Sequence, residues 1–210
     1  MRKLATVLVS LVIMAFVIGI AGCGAGGTPT TTPTPTPAPT PTPLQTPSVT
    51  LTAEWSPDGI ISAREYSKAE TYGNYEIHWR SDDQYIYVGM KAKTSGFVAV
   101  GFQPGSRMKN ADMVFGFVKD GEVAIYDMFS TGDFGPHLPD TQLGGTNDIT
   151  HFGGKEEGGY TTIEFKRALA TGDDYDNPIS SGKNRIIWAY GSSDSLTLRH
   201  SNRGYGEIDL

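Results

Sequence analysis

Cysteine is almost missing from this chain: Cys23 is the only one in 210 residues. A lone thiol excludes an internal disulfide, a thiolate zinc site and covalent haem attachment through C-x-x-C-H. A blue-copper centre requires a cysteine thiolate and is excluded with them, which leaves open only a copper site built from two histidines and a methionine. Catalytic signatures are missing too. There is no G-x-S-x-G, H-E-x-x-H, Walker loop or dinucleotide fingerprint, which speaks against a hydrolase. No stretch sustains a 3.6-residue apolar period, and no internal repeat is present.

Basic residues are in short supply as well. The chain has 17 Lys and Arg against 23 Asp and Glu. Setting aside Arg2 and Lys3 leaves 15 basic residues and a balance of −8. Phosphate binding demands the opposite sign, so nucleic acid is not an expected partner.

One long apolar run exists, from Leu4 to Ile20, directly after Met1, Arg2 and Lys3. A basic start and an uncharged apolar stretch form a signal peptide. It closes on Ile20-Ala21-Gly22-Cys23, where small residues precede the cysteine and resemble the lipobox cut by lipoprotein signal peptidase. The expectation is a lipoprotein: a signal peptide over 1–22, a lipid-anchored linker over 23–49 with Cys23 as the lipidation site, and a folded domain over 50–210. The alternative is an uncleaved membrane anchor, since the run is at the lower edge of a bilayer span. Either reading places the domain on the extracytoplasmic side of the cell membrane. Thr28 to Pro47 holds eight of the 13 prolines; such a Thr/Pro tract favours extended polyproline II and builds no core.

After Thr50 the pattern changes to short runs rich in Tyr, Val, Ile and Phe between Gly, Asp, Asn and Ser. Strands are predicted over Tyr75–Arg80, Gln84–Lys91, Phe97–Phe102, Asp112–Val118, Glu122–Met128, Tyr160–Phe165 and Arg185–Tyr190. Ser81-Asp82-Asp83 and Lys119-Asp120-Gly121 have the chemistry of hairpin turns. At most a short helical turn follows Ser62. The spacing predicts an all-β fold, an antiparallel two-sheet β-sandwich of immunoglobulin-like type. The connection from Ser130 to Gly159 is too long for a hairpin, so it crosses between sheets or contributes to a site.

Gly96-Phe97-Val98-Ala99-Val100-Gly101-Phe102, then Met108-Lys109-Asn110-Ala111-Asp112-Met113-Val114-Phe115-Gly116, then Phe165-Lys166-Arg167-Ala168-Leu169, Thr171-Gly172-Asp173 and Ile186-Ile187-Trp188-Ala189-Tyr190-Gly191 follow in order. His200 and Arg203-Gly204 come last. This succession resembles the DOMON domain of dopamine beta-monooxygenase and, more distantly, the cytochrome domain of cellobiose dehydrogenase. The resemblance implies a sandwich of about ten strands that binds haem b, or a sugar, or neither. In haem-binding members a methionine just before the Ala-Asp strand and a histidine near the domain's end ligate the iron. The matching positions are Met108 and His200. Thioether and imidazole together would saturate the iron and raise its potential, so the resemblance implies an electron carrier and not an enzyme, tethered so that it reaches between a membrane redox partner and a soluble one.

Other readings of these residues stand beside that one. Met108 is a loop anchor or a ligand, and His200 a strand-end residue or a ligand. His78 reads as a strand residue held by a hydrogen bond, whereas His137 and His151 flank a possible pocket in the long connection. Met90 and Met113 read as core. Phe97, Phe102, Phe115, Trp188 and Tyr190 line a haem cleft or fill the space between sheets. Asp173, Asp174, Asp176 and Asn177 lack calcium-loop spacing and read as a turn before Pro178. Asp112 has Arg167 and Arg185 as possible internal ion-pair partners. The rival functions are a carbohydrate-binding module without haem and an interaction domain with neither ligand.

Overall fold

The computed structural model describes residues 54–210; the expected signal peptide, Cys23 and the Thr/Pro tract lie outside the described residues. Eleven strands form two antiparallel sheets. The first sheet has five strands in the order β1 (Lys68–Tyr72), β2 (Tyr75–Ser81), β3 (Tyr85–Ala92), β9 (Tyr160–Ala168), β8 (His151–Glu157). The second has six, in the order β11 (Asn202–Asp209), β10 (Lys183–Tyr190), β4 (Val98–Phe102), β5 (Asp112–Lys119), β6 (Glu122–Ser130), β7 (His137–Pro139). The expected β-sandwich is therefore what the chain forms.

Local chemistry sets the register. Asp120 and Gly121 both have positive φ, 53° and 82°, and close a two-residue hairpin that pairs Lys119 with Glu122. Such a turn twists with its strands, and Gly enters that region without a Cβ clash. At the β2–β3 turn the Asp82 carboxylate accepts the backbone N–H groups of Gln84 and Tyr85, at 2.9 and 2.7 Å. Near Ser62 the chain makes only a single turn, with Glu65 accepting the Ser62 N–H at 2.8 Å.

The long connection does cross between sheets. It contributes β7 to the six-stranded sheet, a four-residue helix α1 (Asp140–Leu143), and then β8 on the opposite sheet.

Alternating side chains of both sheets meet between them. Ile77, Ile86, Val88, Met90, Ile163 and Phe165 of one sheet face Val98, Val100, Phe102, Val114, Ile186 and Ile208 of the other. That is the period-two pattern of strands with one face inward. Yet β4 is buried at every position and β5 at every position but its last. Continuous burial of this kind marks strands covered on both faces. The outer face of the six-stranded sheet accordingly holds a second apolar cluster of Phe97, Ala99, Met113, Phe115, Phe117 and Met128.

Candidate functional site

Three loops gather over that second face. The first joins β4 to β5 and carries Arg107 and Met108; the second joins β6 to β7 and carries Asp133 and Phe134; the third joins β10 to β11 and carries Leu198 to His200. Between them and the sheet lies a cavity of about 490 Å³. Its floor is Phe97, Ala99, Gly101, Met113, Phe115 and Ile187; Met108, His137 and His200 stand in its walls. Apolar walls with a few convergent polar groups are the usual form of a small-molecule site.

The Met108 loop is held in a costly shape. Gln103, Arg107 and Asn110 all have positive φ, 49°, 54° and 61°, and they are three of the five such non-glycine residues among those described. L-residues tolerate this region poorly, so the surroundings must over-determine it. They do so from both ends of the loop. Gly105 donates to Lys109 O at 2.8 Å, Asn110 to Ser130 O at 2.8 Å, and Asn177 Nδ2 to Asn110 O at 2.7 Å.

The His200 loop depends on a missing side chain. A Cβ on Gly96 would collide with Ser193 N and sit 2.5 Å from Gly191 O. Glycine at this position therefore lets the loop lie against the start of β4. Phe97 N–H then donates to Ser193 O at 3.3 Å and Ser201 N–H to Tyr190 O at 2.8 Å.

The imidazole of His200 faces Arg203. Arg203 Nη1 lies 3.4 Å from His200 Nε2. A guanidinium can only donate, so Nε2 presents its lone pair. Burial, and then the charge of Arg203, holds the His200 pKa below the ordinary histidine value. A neutral imidazole is the ligating form, and Nε2 would exchange the Arg203 contact for a metal on binding one. Around the mouth stand Arg107, Arg199 and Arg203, with Phe134 and Tyr205 71% and 60% exposed.

The structure thus brings Met108 and His200, 92 positions apart in the chain, to one cavity. It adds His137, whose Nδ1 is buried without a hydrogen-bond partner and whose pKa burial lowers. His78 and His151 lie elsewhere, on the five-stranded sheet, where His78 meets Glu76 at 3.3 Å and His151 meets Thr150 at 3.0 Å. Met90 is core, but Met113 lines the cavity. Of the aromatic candidates, Phe97 and Phe115 belong to the cavity while Phe102 and Tyr190 fill the inter-sheet core. Trp188 borders the cavity, and its ring stacks on Tyr72 and Tyr75 with centroids 5.5 and 5.2 Å away.

Asp112 pairs with Arg167, not Arg185, and both side chains are fully buried. Asp173 does make the expected turn, accepting Tyr175 N–H at 2.8 Å. Asp127 and Asp140 went unnoticed in the sequence. A carboxylate inside Ile125-Tyr126-Asp127-Met128-Phe129 was the available signal, since an acid in an apolar strand needs a reason.

Known proteins share this architecture. The DOMON domain family model matches residues 71–191. MOXD1 homolog 1 of Drosophila melanogaster is 29% identical over 151 residues, 67% of this chain and 21% of that protein. DBH-like monooxygenase protein 1 of Mus musculus is 30% identical over 122 residues, 58% of this chain and 19% of its own length. The chain thus spans about one fifth of the curated relatives it matches. The cytochrome domain of Myriococcum thermophilum cellobiose dehydrogenase superposes with a TM-score of 0.50 at 14% identity, covering 65% of this chain and 74% of that one, a likeness of fold. With more than half of its length matched by the family model, this chain belongs to the DOMON domain family.

Proposed function

We propose that the domain holds haem b without covalent links and relays single electrons, on a chain anchored through lipidated Cys23 to the extracytoplasmic side of a membrane. The observation that carries this reading is the placement of Met108 and His200 on the walls of one apolar cavity. The donor set fits the group: one soft thioether, one neutral imidazole and walls of Phe97, Phe115, Met113 and Ile187. Met108 and His200 would hold the iron, and the group so held would supply single-electron exchange.

The rest falls to this chain's own side chains. The floor excludes water. Arg107, Arg199 and Arg203 set positive charge at the mouth of an otherwise acidic protein, where the carboxylates of a porphyrin would meet them. Exposed Phe134 and Tyr205 beside them offer apolar contact to a redox partner protein.

An ultraviolet-visible spectrum of the chain produced in haem-replete cells tests the reading. A Soret band with low-spin features is expected, with Met108→Leu and His200→Ala each moving it to high spin and His78→Ala leaving it unchanged. A colourless protein without iron would end the haem reading and direct attention to carbohydrate titrations. Lipidation is checked separately: Cys23→Ser should release the protein from the membrane fraction.

A further inference from the structure

The six-stranded sheet ends on one side in β11, the longest of the four edge strands at eight residues, against seven for β8, five for β1 and three for β7. Edges are normally short, charged throughout or covered, because their unpaired N–H and C=O groups are a template for another strand. β11 reads Asn202-Arg203-Gly204-Tyr205-Gly206-Glu207-Ile208-Asp209, with no proline, and Arg203, Tyr205 and Glu207 are exposed.

The hydrogen-bond pattern identifies the free groups. Leu210 and Gly182 exchange both main-chain bonds, at 3.0 and 3.2 Å. Such pairs recur at every second residue of an antiparallel ladder. The even-numbered residues of β11 therefore bond to β10, and Arg203, Tyr205, Glu207 and Asp209 turn their N–H and C=O groups outward. Asp209 O is found where this places it, accepting from Lys68 Nζ at 2.6 Å and from Trp79 Nε1 at 3.1 Å. With that carbonyl engaged, the open stretch runs from Arg203 to Glu207 and its midpoint is Tyr205. A groove of about 500 Å³ opens beside it, lined by Glu70, Tyr72, Arg185, Tyr205, Gly206 and Glu207. The Tyr72 hydroxyl reaches the Glu207 main chain from β1 and would give way to a strand entering there.

We propose that β11 pairs antiparallel with β11 of a second copy of this chain, about a two-fold axis at Tyr205. In that register Arg203 faces Glu207 of the partner subunit and Glu207 faces the partner's Arg203, while Tyr205 faces its own copy. Opposite charges directly across a strand pair stabilise it, and a patch that complements itself is what a two-fold interface requires. Moving the axis to Gly206 would set Arg203 against Asp209, whose carbonyl is taken, and moving it to Gly204 would leave both charges unmatched. Glu207 meets Lys183 through Oε2 at 3.3 Å with both side chains exposed, which leaves Oε1 for the second copy.

The pairing reaches the cavity. Tyr205 and Arg203 lie opposite Ile187 and Ala189 of β10, and all four line it. Two six-stranded sheets would become one, with both cavities on the same face and Tyr205 of the partner subunit at the mouth of each. The pairing does not depend on what the cavity holds.

Sedimentation of the full chain in mild detergent, carrying Cys23→Ser so that no native thiol remains, tests this. A reversible dimer is expected across a dilution series. Arg203→Glu and Glu207→Arg should each weaken it at least tenfold, and an equimolar mixture of the two variants should restore it. Tyr205→Cys should give a disulfide-linked dimer on oxidation, since hydrogen-bonded pairs hold their Cα atoms about 5.5 Å apart, within disulfide reach. Glu122→Cys, an exposed position beside the β5–β6 turn, should not. A chain that stays monomeric up to about 1 mM, charge variants that dimerise as the wild type does, or cross-linking no greater at Tyr205→Cys than at Glu122→Cys would overturn the pairing. Should the charge variants not fold, the Tyr205→Cys cross-link decides alone.

Discussion

The two sheets of this sandwich share a core but treat their outer faces differently. The five-stranded sheet turns Glu76, His78, Arg80, Tyr85, Tyr87, Lys91 and Lys166 outward, and several of these pair as cations over rings, Lys166 on Tyr85 at 3.8 Å and Arg80 on Tyr87 at 4.5 Å. Where that face is covered, the segment before β1 covers it with polar contacts. Tyr66 donates to Glu164 at 2.7 Å, Gly59 N–H to the same carboxylate at 2.7 Å, and Trp55 Nε1 to Tyr66 at 2.9 Å. The six-stranded sheet turns Phe97, Ala99, Met113, Phe115 and Phe117 outward and roofs them with loops that leave a cavity. An antiparallel sheet needs only one apolar face to fold. A second one, left partly uncovered, is there for something other than folding.

Several substitutions would break or sharpen that contrast. Phe165→Ala, on the shared core, should cost about 3–5 kcal/mol in urea unfolding, with the spectrum of any surviving folded protein unchanged. The Glu164 carboxyl comes next. Burial chiefly lifts it to about 7 from 4.5. Between those values the folded state keeps a proton that the unfolded chain has lost, so Glu164 stabilises fully below pH 4.5 and loses its contribution as pH rises through 7. Melting temperature should fall from pH 5 to pH 8, and Glu164→Gln should flatten that fall. Gly101→Leu fills the cavity floor, since a Cβ there meets Ile187 at 2.8 Å and Met113 at 3.1 Å. Overpacking costs about 1–3 kcal/mol, and haem titration should show at least a tenfold loss, about 1.4 kcal/mol. Smallest is Lys166→Ala, which removes half-buried cation–ring contacts on Tyr85 and Tyr87 at a cost of about 1 kcal/mol and should leave the spectrum alone. Equal spectral effects from Lys166→Ala and Gly101→Leu would erase the functional difference between the faces.

The strands legible in the sequence were the interior ones. β1, β7, β8 and β11 were not anticipated, and they are the four edge strands of the two sheets. Lys68-Ala69-Glu70-Thr71-Tyr72 and His151-Phe152-Gly153-Gly154-Lys155-Glu156-Glu157 are largely exposed and carry no apolar alternation. Edges discourage pairing with other chains by charge and short length, and the same devices remove the signal by which strands are recognised. Met108 and His200 were legible through family resemblance, because a lone methionine in a polar loop has no periodicity to betray it. The burial of Asp112, Asp127, Asp140 and Asp176 was not legible, since they come from four segments that only the fold assembles.

The placement of the cavity outside the inter-sheet core separates two sets of residues in the molecule. Ile77, Val88, Phe102, Phe165 and Ile186 pack together between the sheets, and none of them lines the cavity. A cofactor held in the cavity, as proposed, would therefore rest against a face of the sheet that the inter-sheet core does not use.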